Sequence, residues 1–361
     1  MKPTKNKNTG KWDIQFKYFD AEGNYKKTTK RGFQTKKEAE EWYLNYKYSK
    51  EDNLNMYFES FVNIYYDVMG SQIREYTWLS KKMIIETKIL TYFKNMKVNE
   101  IEPKDILKWQ NWVKSQRNKQ GKPYAPTYLR SINSQLSAIM NFACNYYNLE
   151  SNPCKKVKSM GKKKRSGEIK FWTVEQYKTF SEAMMEKPIS FYAFEMLFWC
   201  GIRLGELLAL TPADFDFERK TVSISKSYQR LNGRDVITPP KTESSIRKVL
   251  MPDKLCYEMQ DCINSIYGIT DDMRIFTVTK SYLTREMERG CKATGVPKIR
   301  LHDLRHSAVS LLIDKGYSAV AIAERVGHSS PVETLEVYSH LFPTVQTEMA
   351  LKLNEEMISD V

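Results

Sequence analysis

The chain has 361 residues, with 57 Lys and Arg against 43 Asp and Glu, a formal net charge of +14 and a pI near 9.2. Hydrophobic residues make up 41% and aromatics 12%, which excludes an intrinsically disordered chain and supplies cores for two or three domains of ~150 residues each. No apolar run reaches the ~20 residues of a membrane span, the N-terminal MKPTKNKNTGK lacks the apolar centre of a secretory signal, and six scattered cysteines without a CxxC pair fit neither a disulfide framework nor a zinc site. A soluble intracellular protein with reduced thiols is expected. Its excess positive charge implies a polyanionic partner, with DNA, RNA and an anionic membrane surface all open on composition alone.

Residues 1–50 carry 13 basic and 6 acidic side chains. Within them Trp12, Ile14, Phe16 and Tyr18 alternate with polar residues, the period of a strand with one buried face. A turn at 20–24 and a second, very basic strand at 25–31 follow. Thr35 with Glu38 forms a capping box ahead of Ala39, Trp42, Tyr43 and Tyr46 at helical spacing. A small sheet plus one helix is predicted, as an independent module over 1–50.

Residues 51–154 read as a helical bundle. The predicted inward faces are Phe58, Phe61, Val62 and Tyr65; Met83, Ile84, Thr87 and Leu90; Leu107, Trp109, Trp112 and Val113; and Leu129, Ile132, Leu136, Ile139 and Met140. Residues 155–170 hold eight basic residues against the single Glu168. They are expected to be a basic linker, either simply solvated or following nucleic-acid phosphates. A third domain spans 171–361. It opens with a capping box at Thr173 and Gln176 and a helix to Met185, continues through an apolar helix at 191–199 and an apolar stretch at 205–210, and contains strands at 221–228 and 246–251 separated by a polar arm of 17 residues. From Leu301 it is helical, punctuated by Gly316, Gly327 and Pro331. The fold class expected is multidomain and mainly α: a small β-sheet plus helix module, a helical bundle and an α+β C-terminal domain.

All four histidines, His302, His306, His328 and His340, lie within 39 residues. His302 and Arg305 stand three apart at a helix start, where the helix N-terminus favours an anion and a guanidinium fits phosphate. His328 follows a glycine at a helix end. Ser330 and Pro331 then open a helix that carries Tyr338 two turns on. Arg203 sits between Gly201 and Gly205 with Glu206 placed to orient it, which suits a buried anion clamp or a structural Arg–Glu pair. His306 and His340 read as packed or surface histidines.

GIRLGELLAL, PKTESSIRKVLM, LHDLRHSAVSLLIDKG, VGHSS and ETLEVYSHL, in that order and spacing over 170–345, resemble the catalytic signature of the tyrosine recombinase (phage integrase) family. The bundle is similar to that family's core-binding domain. The first 50 residues resemble the arm-type DNA-binding module of phage and conjugative-transposon integrases. The resemblance implies that Arg203 and Arg305 clamp the scissile phosphate, Lys241 protonates the leaving 5′ oxygen, His302 assists proton transfer, His328 hydrogen-bonds the phosphate and Tyr338 is the nucleophile, with Glu206 in support. It implies a site-specific DNA recombinase working through a 3′-phosphotyrosine, needing no cofactor, metal or ATP, and integrating and excising a mobile element in the bacterial cytoplasm. The implied partners are double-stranded DNA at core and arm sites, three further copies in a homotetramer with C-terminal tails exchanged, and DNA-bending or excision accessory proteins, with no membrane. In the tail, Val345, Met349, Leu353 and Met357 are near helical spacing, for packing on a neighbour or on the same domain. A chromosome-dimer resolvase and a type IB topoisomerase share the chemistry without needing the basic N-terminal module. A non-catalytic DNA-binding protein predicts a broken catalytic set, and no RRM or KH signature supports an RNA-binding protein.

Overall fold

Alternation in the first module produces an antiparallel sheet in the computed structural model, which describes residues 3–6, 9–19, 25–50, 54–162, 169–240, 242–341, 350 and 353–354. A two-residue strand β1 (Thr4–Lys5), which the sequence pattern did not suggest, pairs with β2 (Trp12–Phe19), and β2 pairs with β3 (Tyr25–Phe33). Ile14, Phe16 and Phe33 are buried against Ala39 of helix α1 (Lys36–Lys50). The predicted capping box is present: Glu38 N–H donates to Thr35 Oγ1 at 3.0 Å, and the Glu38 carboxylate accepts from the N–H of Thr35. The expected turn at 20–24 lies outside the described residues.

The helical region comprises α2 (Phe58–Met69), α3 (Glu75–Ile84), a π-helical turn (Ile85–Leu90), α4 (Thr91–Phe93), α5 (Pro103–Ser115) and α6 (Pro126–Tyr146). The faces of α2 and α6 match their periodicity. Two others are rotated from expectation. The wider π turn puts Ile85, Ile89 and Phe93 in register toward the core, with Ile84 beside them, and leaves Met83 and Thr87 exposed. On α5 the buried set is Ile106, Trp109, Gln110 and Val113, with Leu107 exposed.

The described first part of the segment expected to be a basic linker, 155–162, has contacts to the bundle. Pro153–Lys156 forms a 3-10 turn capped by Asn152, and Val157 and Met160 pack on the bundle. Buried Gln110 Nε2 donates both to Asn133 Oδ1 (2.9 Å) and to the Lys158 carbonyl (3.0 Å), and Lys162 N–H donates to the Pro126 carbonyl (3.2 Å). Side chains that must satisfy buried polar atoms hold this segment where its lysine-rich composition suggested solvent. The chain divides into two units between Ser166 and Gly167, inside the expected linker.

The second unit contains α7 (Val174–Glu182), α8 (Pro188–Trp199), α9 (Leu204–Leu207), β4 (Phe215–Asp216), β5 (Thr221–Ile224), β6 (Ser227–Leu231), β7 (Arg234–Thr238), β8 (Arg247–Leu250), α10 (Asp253–Ser265), α11 (Lys280–Thr294), α12 (Asp303–Asp314), α13 (Ala319–Val326) and α14 (Pro331–Tyr338). β4, β5 and β8 form one antiparallel sheet, and β6 and β7 a separate hairpin. The single strand expected over 221–228 is thus broken near Lys226, whose ammonium is drawn to Asp214 (2.9 Å) and Thr211 (2.9 Å), and most of the polar arm is the hairpin. Trp172 ties the entering chain to α12 and the loop before it, its N–H donating to Ser307 Oγ (2.9 Å) and its indole to the Pro297 carbonyl (2.7 Å). Among the described residues no helix is long and apolar enough to cross a membrane, and all six cysteines are free.

At Gly161, φ is +72° and an added Cβ would lie 1.9 Å from the Pro126 carbonyl oxygen, a backbone atom that cannot swing aside. Gly161→Ala should therefore lower the thermal midpoint of the first unit, by the equivalent of about 1–3 kcal/mol for a backbone forced out of place; an unchanged midpoint in calorimetry would contradict this close approach.

Candidate active site

The turn of α13 into the following loop organises the site. A helix leaves its last carbonyls without intrahelical donors, and here three consecutive ones each receive a guanidinium. Arg247 Nε donates to the Arg325 carbonyl (2.8 Å), Arg305 Nη1 to the Val326 carbonyl (2.6 Å) and Arg203 Nη2 to the Gly327 carbonyl (2.8 Å). Positive charge at this end also suits the helix dipole. Gly327 adopts φ +72°, and an added Cβ would lie 2.8 Å from Arg247 Nη1, so the turn is closed to larger residues.

Behind them, Glu206 is buried and joins two of the three arginines. Its carboxylate accepts from the Arg203 backbone N–H and Nη1 (both 2.9 Å) and from Arg247 Nη2 (2.9 Å). Burial alone would raise the Glu206 carboxyl, but the hydrogen bond and charge of Arg247, then those of Arg203, hold it below its usual value. Arg305 is 3% exposed and also donates to the Gly201 carbonyl (2.9 Å), while its Nη2 has no hydrogen-bond partner among the described residues. Burial and then Arg203 push its pKa down. A buried cation with a spare donor and a second cation beside it is stabilised by an anion.

The remaining expected residues flank this pair. His302 is the N-cap of α12, its ring edge-on to that of His306 at 5.1 Å. His328 is half-buried, with Nδ1 at 2.7 Å from Thr334 Oγ1. Tyr338, the last residue of α14, is 2% exposed within the apolar cluster of Val309, Ile313, Ile322 and Val326, and its hydroxyl is in hydrogen-bond contact with His306 Nδ1. Burial raises the Tyr338 phenol well above its usual value, with Arg305 opposing. Burial first and neighbouring cationic or ionisable groups second bring His302 and His328 down to about 4, and His306 also falls, with Asp303 pulling the other way.

Arg203, Arg305, His302, His328 and Tyr338 therefore come together, with Glu206 in the supporting place expected of it. Lys241 lies outside the described residues. Lys226, in the break between β5 and β6, is committed to Asp214 and Thr211. Sequence reasoning missed Arg247 and gave His306 only a packing role. The signal for His306 was its i+4 spacing from His302 and i+3 from Asp303 on one helix face; Arg247 had no local signal, since Glu206 and the Arg325 carbonyl are far away in sequence.

Two outcomes follow. Arg247→Leu leaves Glu206 buried with half its charge compensation and should destabilise this unit by about 3–5 kcal/mol, read as a lowered thermal midpoint. The histidines bind protons more weakly folded than unfolded, so between about pH 6.5 and 4 the unfolded chain takes up more protons and stability falls with pH. His302, His306 and His328 all contribute, so a midpoint flat across this range would count against their burial.

The sequence profile of the phage integrase family matches residues 170–344, that of the phage integrase N-terminal SAM-like domain residues 57–113, and that of an arm DNA-binding domain residues 4–50. The ICEBs1 integrase of Bacillus subtilis (strain 168) is 32% identical over 314 residues, covering 82% of this chain and 83% of that protein. A XerC-like tyrosine recombinase of Caldanaerobacter subterraneus is 26% identical over 366 residues, covering 90% of each. Among solved structures, the Tn1549 transposon integrase in complex with transposon right-end DNA superposes with a TM-score of 0.65 at 18% identity, covering 84% of this chain and 100% of that one. A lambda integrase tetramer bound to a Holliday junction gives 0.58 at 16% identity, covering 93% of each. The fold, mainly helical with small antiparallel sheets, is that of these integrases, and the chain belongs to the phage integrase family of tyrosine-type site-specific DNA recombinases.

Proposed function

We propose that the chain integrates and excises a mobile element by cutting DNA with Tyr338 and rejoining it through a 3′-phosphotyrosine. The observation that carries this is the convergence of Arg203, Arg305, His328 and Tyr338, drawn from the N-cap of α9, α12, the loop after α13 and α14, with an Arg305 nitrogen that has no hydrogen-bond partner among the described residues. Tyr338 Oη attacks the phosphorus, the P–O5′ bond breaks, and the 5′ oxygen takes a proton from Lys241. Charge builds on the non-bridging oxygens, where Arg203 and Arg305 supply fixed donors already held by protein carbonyls and His328 adds a third. One phosphoester replaces another, so a 5′-hydroxyl from the partner strand reverses the step without ATP.

In this reading the helical bundle and the catalytic unit bind the core site, largely through salt-dependent phosphate contacts, and the basic module of 1–50 binds separate arm sites. Four copies act on paired sites in the bacterial cytoplasm, helped by DNA-bending or excision factors. The tail beyond 342 docks on a neighbouring copy. DNA-bound assemblies of the Tn1549 and lambda integrases support this.

On a nicked suicide duplex carrying the element's end, wild-type protein should form an SDS-resistant adduct without added metal or ATP, and Tyr338→Phe none; an adduct in both would assign the nucleophile to another tyrosine. Truncation after 342 should preserve DNA binding and abolish multimers on paired sites. Multimers that persist would place the tail on its own domain.

A further inference from the structure

Resting on the recombinase reading, we propose that His306 is a catalytic residue of this enzyme: its Nδ1 takes the proton of Tyr338 as the phenol attacks, and returns it when the tyrosine leaves. Three features of the geometry point there.

First, the Tyr338 hydroxyl already contacts His306 Nδ1, whereas His302 lies edge-on against the His306 ring and His328 Nδ1 is committed to Thr334. Second, the opposite ring nitrogen, Nε2, lies 4.0 Å from Asp303 Oδ1. Asp303 is 1% exposed and locked by Arg300, whose Nη2 donates at 2.6 Å and whose Nε donates at 3.0 Å. A fixed carboxylate on that side favours the tautomer with its proton on Nε2, leaving Nδ1 as an acceptor, and steadies the imidazolium that forms. Third, Tyr338 is enclosed in apolar side chains, so losing its proton without a base in contact is costly.

The groups facing His306 are Asp303, Arg300 and Arg305 from its own helix and the turn before it, His302 at the helix start, His328 from the loop after α13 and Tyr338 from α14. Burial with the two arginines outweighs Asp303 and keeps the ring neutral near neutral pH, the form that can accept. Proton and bonds balance: Oη–P forms, P–O5′ breaks, the phenolic proton resides on Nδ1 and Lys241 supplies the proton to O5′. In the reverse step the incoming 5′-hydroxyl gives its proton back to Lys241, O5′–P forms, P–Oη breaks and Oη recovers the Nδ1 proton.

The test is single-turnover cleavage of the nicked suicide duplex by wild-type protein and His306→Asn across neutral and alkaline pH. Asn can still accept a hydrogen bond from Tyr338 near the Nδ1 position, but it cannot take up the proton. The variant should bind the duplex like wild type and cleave at least about 100-fold more slowly near neutral pH. Its rate should climb about tenfold per pH unit where wild type has levelled off, because hydroxide must now remove the proton. Cleavage within about threefold of wild type, or slower cleavage with a parallel pH profile, would overturn the proposal in favour of a role in holding the tyrosine. Absence of an adduct with wild-type protein would instead sink the recombinase reading beneath it. A second readout needs no change at His306: with only four histidines in the chain, isotope-labelled spectra should show one imidazole whose titration shifts on Tyr338→Phe, and four unchanged titrations would refute the contact.

Discussion

Three consecutive carbonyls at the end of α13 cannot be satisfied by their own helix, and the protein satisfies each with an arginine from a different element. Most of the active site depends on this constraint. Two of the arginines are the expected phosphate clamps, so the bonds that close a helix also fix where their remaining donors point. The same turn delivers His328 beside them, and Gly327 is the residue that lets guanidiniums approach so closely. A clamp pre-organised by backbone oxygens does not have to be assembled when charge develops on a phosphate, which is the condition for electrostatic stabilisation to act fully.

Burying several cations together is unfavourable unless counter-charge is close. Glu206 supplies it for Arg203 and Arg247, and its own depressed carboxyl reflects the balance being met. Among the described residues Arg305 is left with carbonyl partners only and one unpaired nitrogen. The local charge is therefore complete except for an anion, as expected of a site whose substrate is a phosphodiester.

Tyr338, the proposed nucleophile, obeys the opposite logic. Tyr338 sits in an apolar cluster that opposes its ionisation, and the hydroxyl lies against a histidine. A phenol exposed beside two arginines would be more acidic than this buried one. Enclosing it separates its reactivity from the electropositive pocket until a proton acceptor and substrate act together. The pairing of Asp303, His306 and Tyr338 uses helix geometry that costs nothing extra: residues three apart on α12 present the carboxylate and the ring, and the end of α14 brings the phenol.

Local features were legible from the residues. The capping boxes at Thr35 and Thr173, the faces of α2 and α6, and the Arg203–Glu206 pair are all interactions within a few positions of one another, where spacing dictates geometry. The five motifs and their order, recognised through a family resemblance, brought out five of the described site residues. What tertiary structure alone decided were partnerships across long separations. Arg247 meets a carbonyl 78 positions away, His306 meets a hydroxyl 32 positions away, and the Lys158 carbonyl and Met160 N–H are held by the buried side chains of Gln110 and Asn133. The inward faces of the π-helical turn and α5 belong to the same class. A 3.6-residue period assumes an undistorted helix and an unspecified neighbour, and only the packed core chooses between adjacent apolar stripes.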